Sequence, residues 1–203
     1  MKKVDKIRFW LSLLFRILLV VAGVIAVFTT NWINLALAVF TMFLTFLPSI
    51  VERRYKLDLP SEIEILVLLF VYGSLYLGEL YAFYEKFWWW DLFLHAYSGI
   101  MIGIAGFALV YVLNKEKKLT FNLSPLFIAM FSFSFSVALG VMWEIFEFVM
   151  DSVFDFNMLK SGLVDTMWDL IVDTSGALLV ALIGYFYVKK DPQIWEKLVR
   201  KMK

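Results

Sequence analysis

The stretch "PLFIAMFSFSFSVALGVMWEIFEFVM" (Pro125 to Met150) decides the fold. Its only charges are Glu144 and Glu147, both in its last two turns. "FSFSFS" (131–136) alternates as a strand would, but a lone strand cannot satisfy its backbone in lipid. As a helix the run is long enough to cross a ~30 Å hydrocarbon core. Ser124-Pro125 reads as an N-cap followed by proline at the first helical position. The serines are expected to bond within the helix or face a cavity. Two carboxylates three residues apart on so apolar a helix need something to offset their cost.

The rest of the chain follows the same pattern. Of its 203 residues 62% are hydrophobic, and the mean hydropathy is +0.80. A soluble domain is about half apolar, so the chain reads as an integral membrane protein. Six spans are expected, at 9–28, 33–51, 63–83, 91–113, 125–150 and 164–188. They form an all-α polytopic bundle and a single transmembrane domain over 1–203. The first span is too long for a signal-peptide core and no small-residue cleavage site follows it, so it is read as an anchor. Asn114 is a candidate helix stop before Lys115, Lys117 and Lys118. The tail "DPQIWEKLVRKMK" (191–203) sets Ile194, Trp195, Leu198 and Met202 on one helical face with lysines opposite, as an interfacial helix does.

Charge orients the spans. Lys2, Lys3, Lys6 and Arg8 precede span 1. Arg53, Arg54 and Lys56 follow span 2, and Lys115, Lys117 and Lys118 follow span 4. Lys189, Lys190, Lys197, Arg200, Lys201 and Lys203 follow span 6, all on that same side. The opposite side has Lys86 and Lys160 alone. The positive-inside rule therefore puts both termini in the cytoplasm and "FWWW" (87–90) at the outer interface. A net charge of +1 argues against a nucleic-acid partner, and zero cysteines exclude disulfides and thiolate metal sites. The absence of cysteine and a single glutamine fit a thermophilic source.

Polar groups converge at one level. Glu79 closes span 3, His95 opens span 4, Glu144 and Glu147 close span 5, and Asp165 and Asp169 open span 6. Successive spans run in opposite directions, so all six fall within roughly 10 Å of one membrane face. By the charge rule this is the outer face. Each span also carries a small or polar stripe at helical spacing. Span 3 has Tyr72, Tyr76 and Glu79. Span 4 has His95, Gly99 and Gly103, a close-packing pattern. Span 5 has Ser132, Ser136, Gly140, Glu144 and Glu147. Span 6 has Asp165, Asp169, Asp173 and Gly176. Five ionised carboxylates in lipid could cost ~10 kcal/mol on insertion scales. Protonation, a water-filled cavity or bound cations would relieve them.

Hard oxygens plus one imidazole suit a divalent ion, with Zn, Mn, Mg and Fe all open. The expected ligands are His95, Glu144, Glu147, Asp165 and Asp169, and the expected catalytic groups Glu144, Glu147 and Asp169. Other readings stay open: glutamates bonding across helices, Asp165 as a helix cap, His95 as a packing residue and Glu79 at the interface. Asp173 lies one to two turns deeper, at the depth Arg16 reaches from the other side, so a structural Asp173–Arg16 pair is expected. One histidine excludes bis-His haem and the paired Glu-x-x-His of di-iron bundles. No HExxH occurs, and no lysine lies within a span to carry a Schiff base.

"FLHAYSG" (93–99), "WEIFE" (143–147) and "DTMWDLIVDTSGA" (165–177) resemble the YjdF-like family of small bacterial and archaeal membrane proteins. The resemblance covers roughly residues 63 to 188. The later half is also similar to VanZ-like proteins, which are associated with glycopeptide-antibiotic resistance at the cell envelope. VanZ-like proteins carry Gln where this chain has Glu147, and Asn is expected where it has Asp173. The resemblance implies a shared helical core with His95, Glu144, Glu147, Asp165 and Asp169 as its functional positions.

Three functions are consistent with these residues. One is a metal-dependent enzyme acting on a lipid or lipid-linked envelope precursor. The second is a transporter or channel for protons or divalent cations. The third is a non-catalytic envelope protein whose polar cluster specifies packing.

Overall fold

A computed structural model describes residues 3–55, 59–115, 123–160 and 162–190. The expected tail helix at 191–203 lies outside them. Among the described residues there is no strand. Six helical stretches are long and apolar enough to cross a membrane: Lys3–Phe28, Trp32–Arg54, Ser61–Leu80, Trp90–Val110, Pro125–Phe154 and Leu163–Lys190. Their outward faces carry exposed Trp10, Phe28, Ile33, Met142 and Phe186, which only a lipid surround makes economical. The chain divides into two compact units, the first ending at Trp90 and the second beginning at Asp91.

In the first unit, α1 (Lys3–Phe28) packs against α2 (Trp32–Leu44) and α4 (Ser61–Val71). The Asn31 side chain caps α2 by accepting from Asn34 N at 3.0 Å. The expected second span is not continuous. It breaks at Thr45 and Phe46 before α3 (Leu47–Tyr55). Pro48 is the cause, since it has no N–H to bond four residues back and restricts the residue before it. Arg16 seals the break. Its guanidinium donates to Thr45 Oγ1 and to the Thr45 carbonyl, each at 3.2 Å, and lies 3.9 Å from the Phe46 ring centre. Arg16, expected from the sequence to pair with Asp173, thus makes a helix-end contact that no charge count could reveal.

The third span also departs from expectation. After α4 the helix widens into a π-helical segment, Tyr72–Leu80, whose last bond runs from Tyr81 N to Tyr76 O at 3.2 Å. The longer turn brings residues five apart into line. A stack therefore runs Phe15, Tyr72, Tyr76, Tyr81, with the Tyr76 and Tyr81 hydroxyls 3.3 Å apart. Glu79, placed on the tyrosine stripe by a period of 3.6, is exposed. A short helix, α5 (Phe83–Lys86), follows. Trp90 Nε1 donates to the Gly73 carbonyl at 3.2 Å. Near the start of the unit Arg8 pairs with buried Glu64, and Ser61 Oγ donates to Asp5 at 2.9 Å.

The second unit consists of α6 (Trp90–Lys115, from Asp91 onward), α7 (Pro125–Phe154) and α8 (Leu163–Lys190). Ser124 caps α7 as expected, accepting from Phe127 N at 3.2 Å ahead of Pro125. Helix α6 runs through Asn114 rather than stopping there. The glycine stripes are close-packing faces. A Cβ on Gly99 would meet the Asp173 carbonyl at 2.6 Å, and one on Gly176 would meet the Ala96 carbonyl at 2.9 Å, so α6 and α8 touch backbone to backbone. Ser132 and Ser136 of α7 bond across helices rather than within their own. Ser132 Oγ donates to the Gly103 carbonyl at 2.7 Å and Ser136 Oγ to the Gly99 carbonyl at 2.9 Å, across to α6. Below them Phe107, Val110, Ile128, Ala129, Val180, Ala181 and Val188 form an apolar core.

Candidate metal centre

Three helix ends meet at the site. The first turns of α6 carry Asp91 and His95, the last turns of α7 Glu144 and Glu147, and the first turns of α8 Asp165 and Asp169. The antiparallel run of α6, α7 and α8 brings these ends to one level.

His95 is the hub. Its Nδ1 lies 3.1 Å from Asp173 Oδ2. Ser98 Oγ donates to Asp173 Oδ1 at 3.1 Å and shares its proton with the His95 carbonyl at 2.9 Å. A carboxylate accepts, so an Nδ1–H points at Asp173, and in the neutral ring the Nε2 lone pair faces the cluster. Nε2 lies 3.8 Å from Glu144 Oε1 and 3.9 Å from Asp91 Oδ1. Gly140 makes room for this arrangement, because a Cβ there would stand 2.9 Å from Asp173 Oδ2.

Glu144 is 4% exposed, yet neither of its carboxylate oxygens has a hydrogen-bond partner among the described residues. The Thr166 hydroxyl faces it without hydrogen-bond geometry. Leaving such a group unpartnered is costly. One donor atom each from His95, Glu144 and Asp169 lies within 4.8 Å of the others, and all three side chains are buried. A second set, Asp91, Asp165 and Asp169, meets the same criterion with Asp169 in common. Lys160, in the loop after α7, reaches Asp91 Oδ2 at 2.5 Å. Asp151 orders that loop by accepting from Met158 N and Leu159 N at 2.7 and 2.9 Å.

Of the positions singled out from the sequence, His95, Glu144, Asp165 and Asp169 come together. Glu147 lies one turn beyond Glu144 on the same buried face, within electrostatic reach of Glu144, His95 and Asp169. Asp165 stands in the first turn of α8, and its side chain is half-buried. Asp173 belongs to the cluster through His95. Glu79 and Arg16 belong to the first unit. Sequence reading missed Asp91 and Ser98. The signal for Asp91 was present: it opens α6 as Asp165 opens α8, four residues before His95.

A family model described as "Predicted membrane protein (DUF2238)" matches residues 7–190. The chain belongs to the DUF2238 family of predicted membrane proteins. It is an integral, multi-pass membrane protein, as its six apolar helices require. An uncharacterised protein of Thermotoga maritima is 33% identical over 141 residues, covering 69% of this chain and 70% of that one. No solved structure matches the chain.

Proposed function

We propose that this DUF2238 protein is a metal-dependent membrane enzyme whose divalent ion is held by His95, Glu144 and Asp169. The single observation that carries the reading is Glu144: a buried carboxylate with no hydrogen-bond partner, aimed at an imidazole nitrogen and a second carboxylate. A cation supplies what that group lacks. The oxygen-rich donor set with one imidazole admits Zn, Mn, Mg or Fe. Asp173 supports the same reading, since ligating histidines commonly donate their other N–H to a carboxylate that fixes the ring.

A divalent ion held there would supply Lewis-acid activation of a water. Glu147, one turn from the ligands, would take the proton of that water as it adds to a phosphoryl or acyl centre and would return it to the leaving group. The charge bias of the loops puts the site at the outer leaflet, and its depth favours a lipid or lipid-linked envelope substrate. The VanZ-like resemblance supports an envelope role. A transport path through the second unit has less support, because Ser132 and Ser136 are spent on α6 carbonyls and the core below them is apolar.

The test is elemental analysis of protein purified in mild detergent without chelator, beside His95→Ala and Glu144→Ala. A divalent metal near stoichiometry, lost in both variants, is expected. Protein without metal would leave a structural polar cluster as the better account.

A further inference from the structure

We infer that the centre is dinuclear, with the Asp169 carboxylate bridging one ion on His95 and Glu144 to a second on Asp91 and Asp165. This rests on the metal reading above and goes beyond it in nuclearity.

Three observations carry it. Two three-donor groups meet the spacing of a metal site, and Asp169 is the member they share. Two ions bridged by one carboxylate stand about 3.5–4 Å apart in two-metal enzymes, a separation that groups with a common member allow. Asp169 is also 2% exposed, and no hydrogen bond to its side chain occurs among the described residues. It offers a carboxylate oxygen to both groups, beside the unpartnered Glu144 oxygens in the first.

Charge favours two ions over one. Asp91, Glu144, Glu147, Asp165, Asp169 and Asp173 surround the centre. Lys160, on Asp91, is the one lysine or arginine in ion-pair contact with any of them among the described residues. With His95 neutral, one divalent ion leaves about three net negative charges at a lipid-embedded site, and a second ion leaves about one. Lys160 pairs with Oδ2 of Asp91, while Oδ1 faces His95 Nε2. Asp91 therefore keeps an oxygen for an ion on the cluster side.

The experiment is a Mn²⁺ titration of the full chain in mild detergent after chelator treatment, read by bound metal per chain and by electron paramagnetic resonance. Two Mn²⁺ per chain with a spin-coupled spectrum are expected. Asp165→Asn should lower the count to one and leave an uncoupled signal, and Asp91→Asn should do the same. Asp169→Asn should abolish coupling. One Mn²⁺ per chain, unchanged by Asp165→Asn, would overturn the dinuclear inference and leave the mononuclear enzyme standing. Two uncoupled ions would overturn the shared bridge. No bound Mn²⁺ would overturn both readings.

Discussion

Asp173 Oδ2 sits 3.1 Å from His95 Nδ1, while its other oxygen accepts from Ser98. The carboxylate therefore fixes both the tautomer and the rotation of the imidazole from a helix that also carries Asp169. It is a positioning residue, and that makes it separable from the ligands.

Asp173→Asn should keep the volume and lose the charge. Outer partners of this kind are worth about 10- to 100-fold in metal affinity. The expected result is a loss of that size in Mn²⁺ affinity by calorimetry with stoichiometry unchanged. Unaltered affinity would show that Asp173 only fills space.

Glu144→Met should change sign with metal. Without an ion the substitution removes a buried, unpartnered carboxylate, and about 1–3 kcal/mol of stabilisation is expected. With metal present the wild-type chain gains about 2.7 kcal/mol at a hundred times its dissociation constant, and the variant gains nothing. Thermal unfolding in detergent, with and without Mn²⁺, reads both arms. A variant that melts lower in both would mean that Glu144 is a packing residue.

Gly140→Ala places a methyl group 2.9 Å from Asp173 Oδ2. Crowding should cost about 1–3 kcal/mol and weaken metal binding by tilting His95. Gly162→Ala has no steric neighbour and serves as the contrast: its positive φ strains the loop but should leave metal binding intact.

Arg16→Met should destabilise the first unit by exposing the Thr45 carbonyl to lipid, about 1–3 kcal/mol, while metal stoichiometry stays at the wild-type value. A joint loss of metal would revive the ion pair with Asp173.

The broad architecture was legible because its signals are long and redundant. Six apolar runs, a capped start at Ser124 and glycines at helical spacing all point the same way. The site was legible in part because antiparallel helices convert sequence position into depth. His95, Glu144 and Asp169 fell at one level before any contact was known. Partner choice was not legible. Arg16 and Asp173 match in depth and charge, yet a carbonyl freed near Pro48 claims one and an imidazole claims the other. The π-helical turn was hidden for a different reason. A residue of extra pitch leaves composition unchanged while rotating Glu79 off the tyrosine stripe.

The Ser132 and Ser136 bonds to α6 have an electrical consequence. They stitch α6 and α7 together just inside the charged end, above an apolar plug. The second unit can therefore hold many carboxylates at one surface without offering protons a route to the other. A protein in an energised membrane needs that insulation, since a leak along its own carboxylates would dissipate the gradient around it.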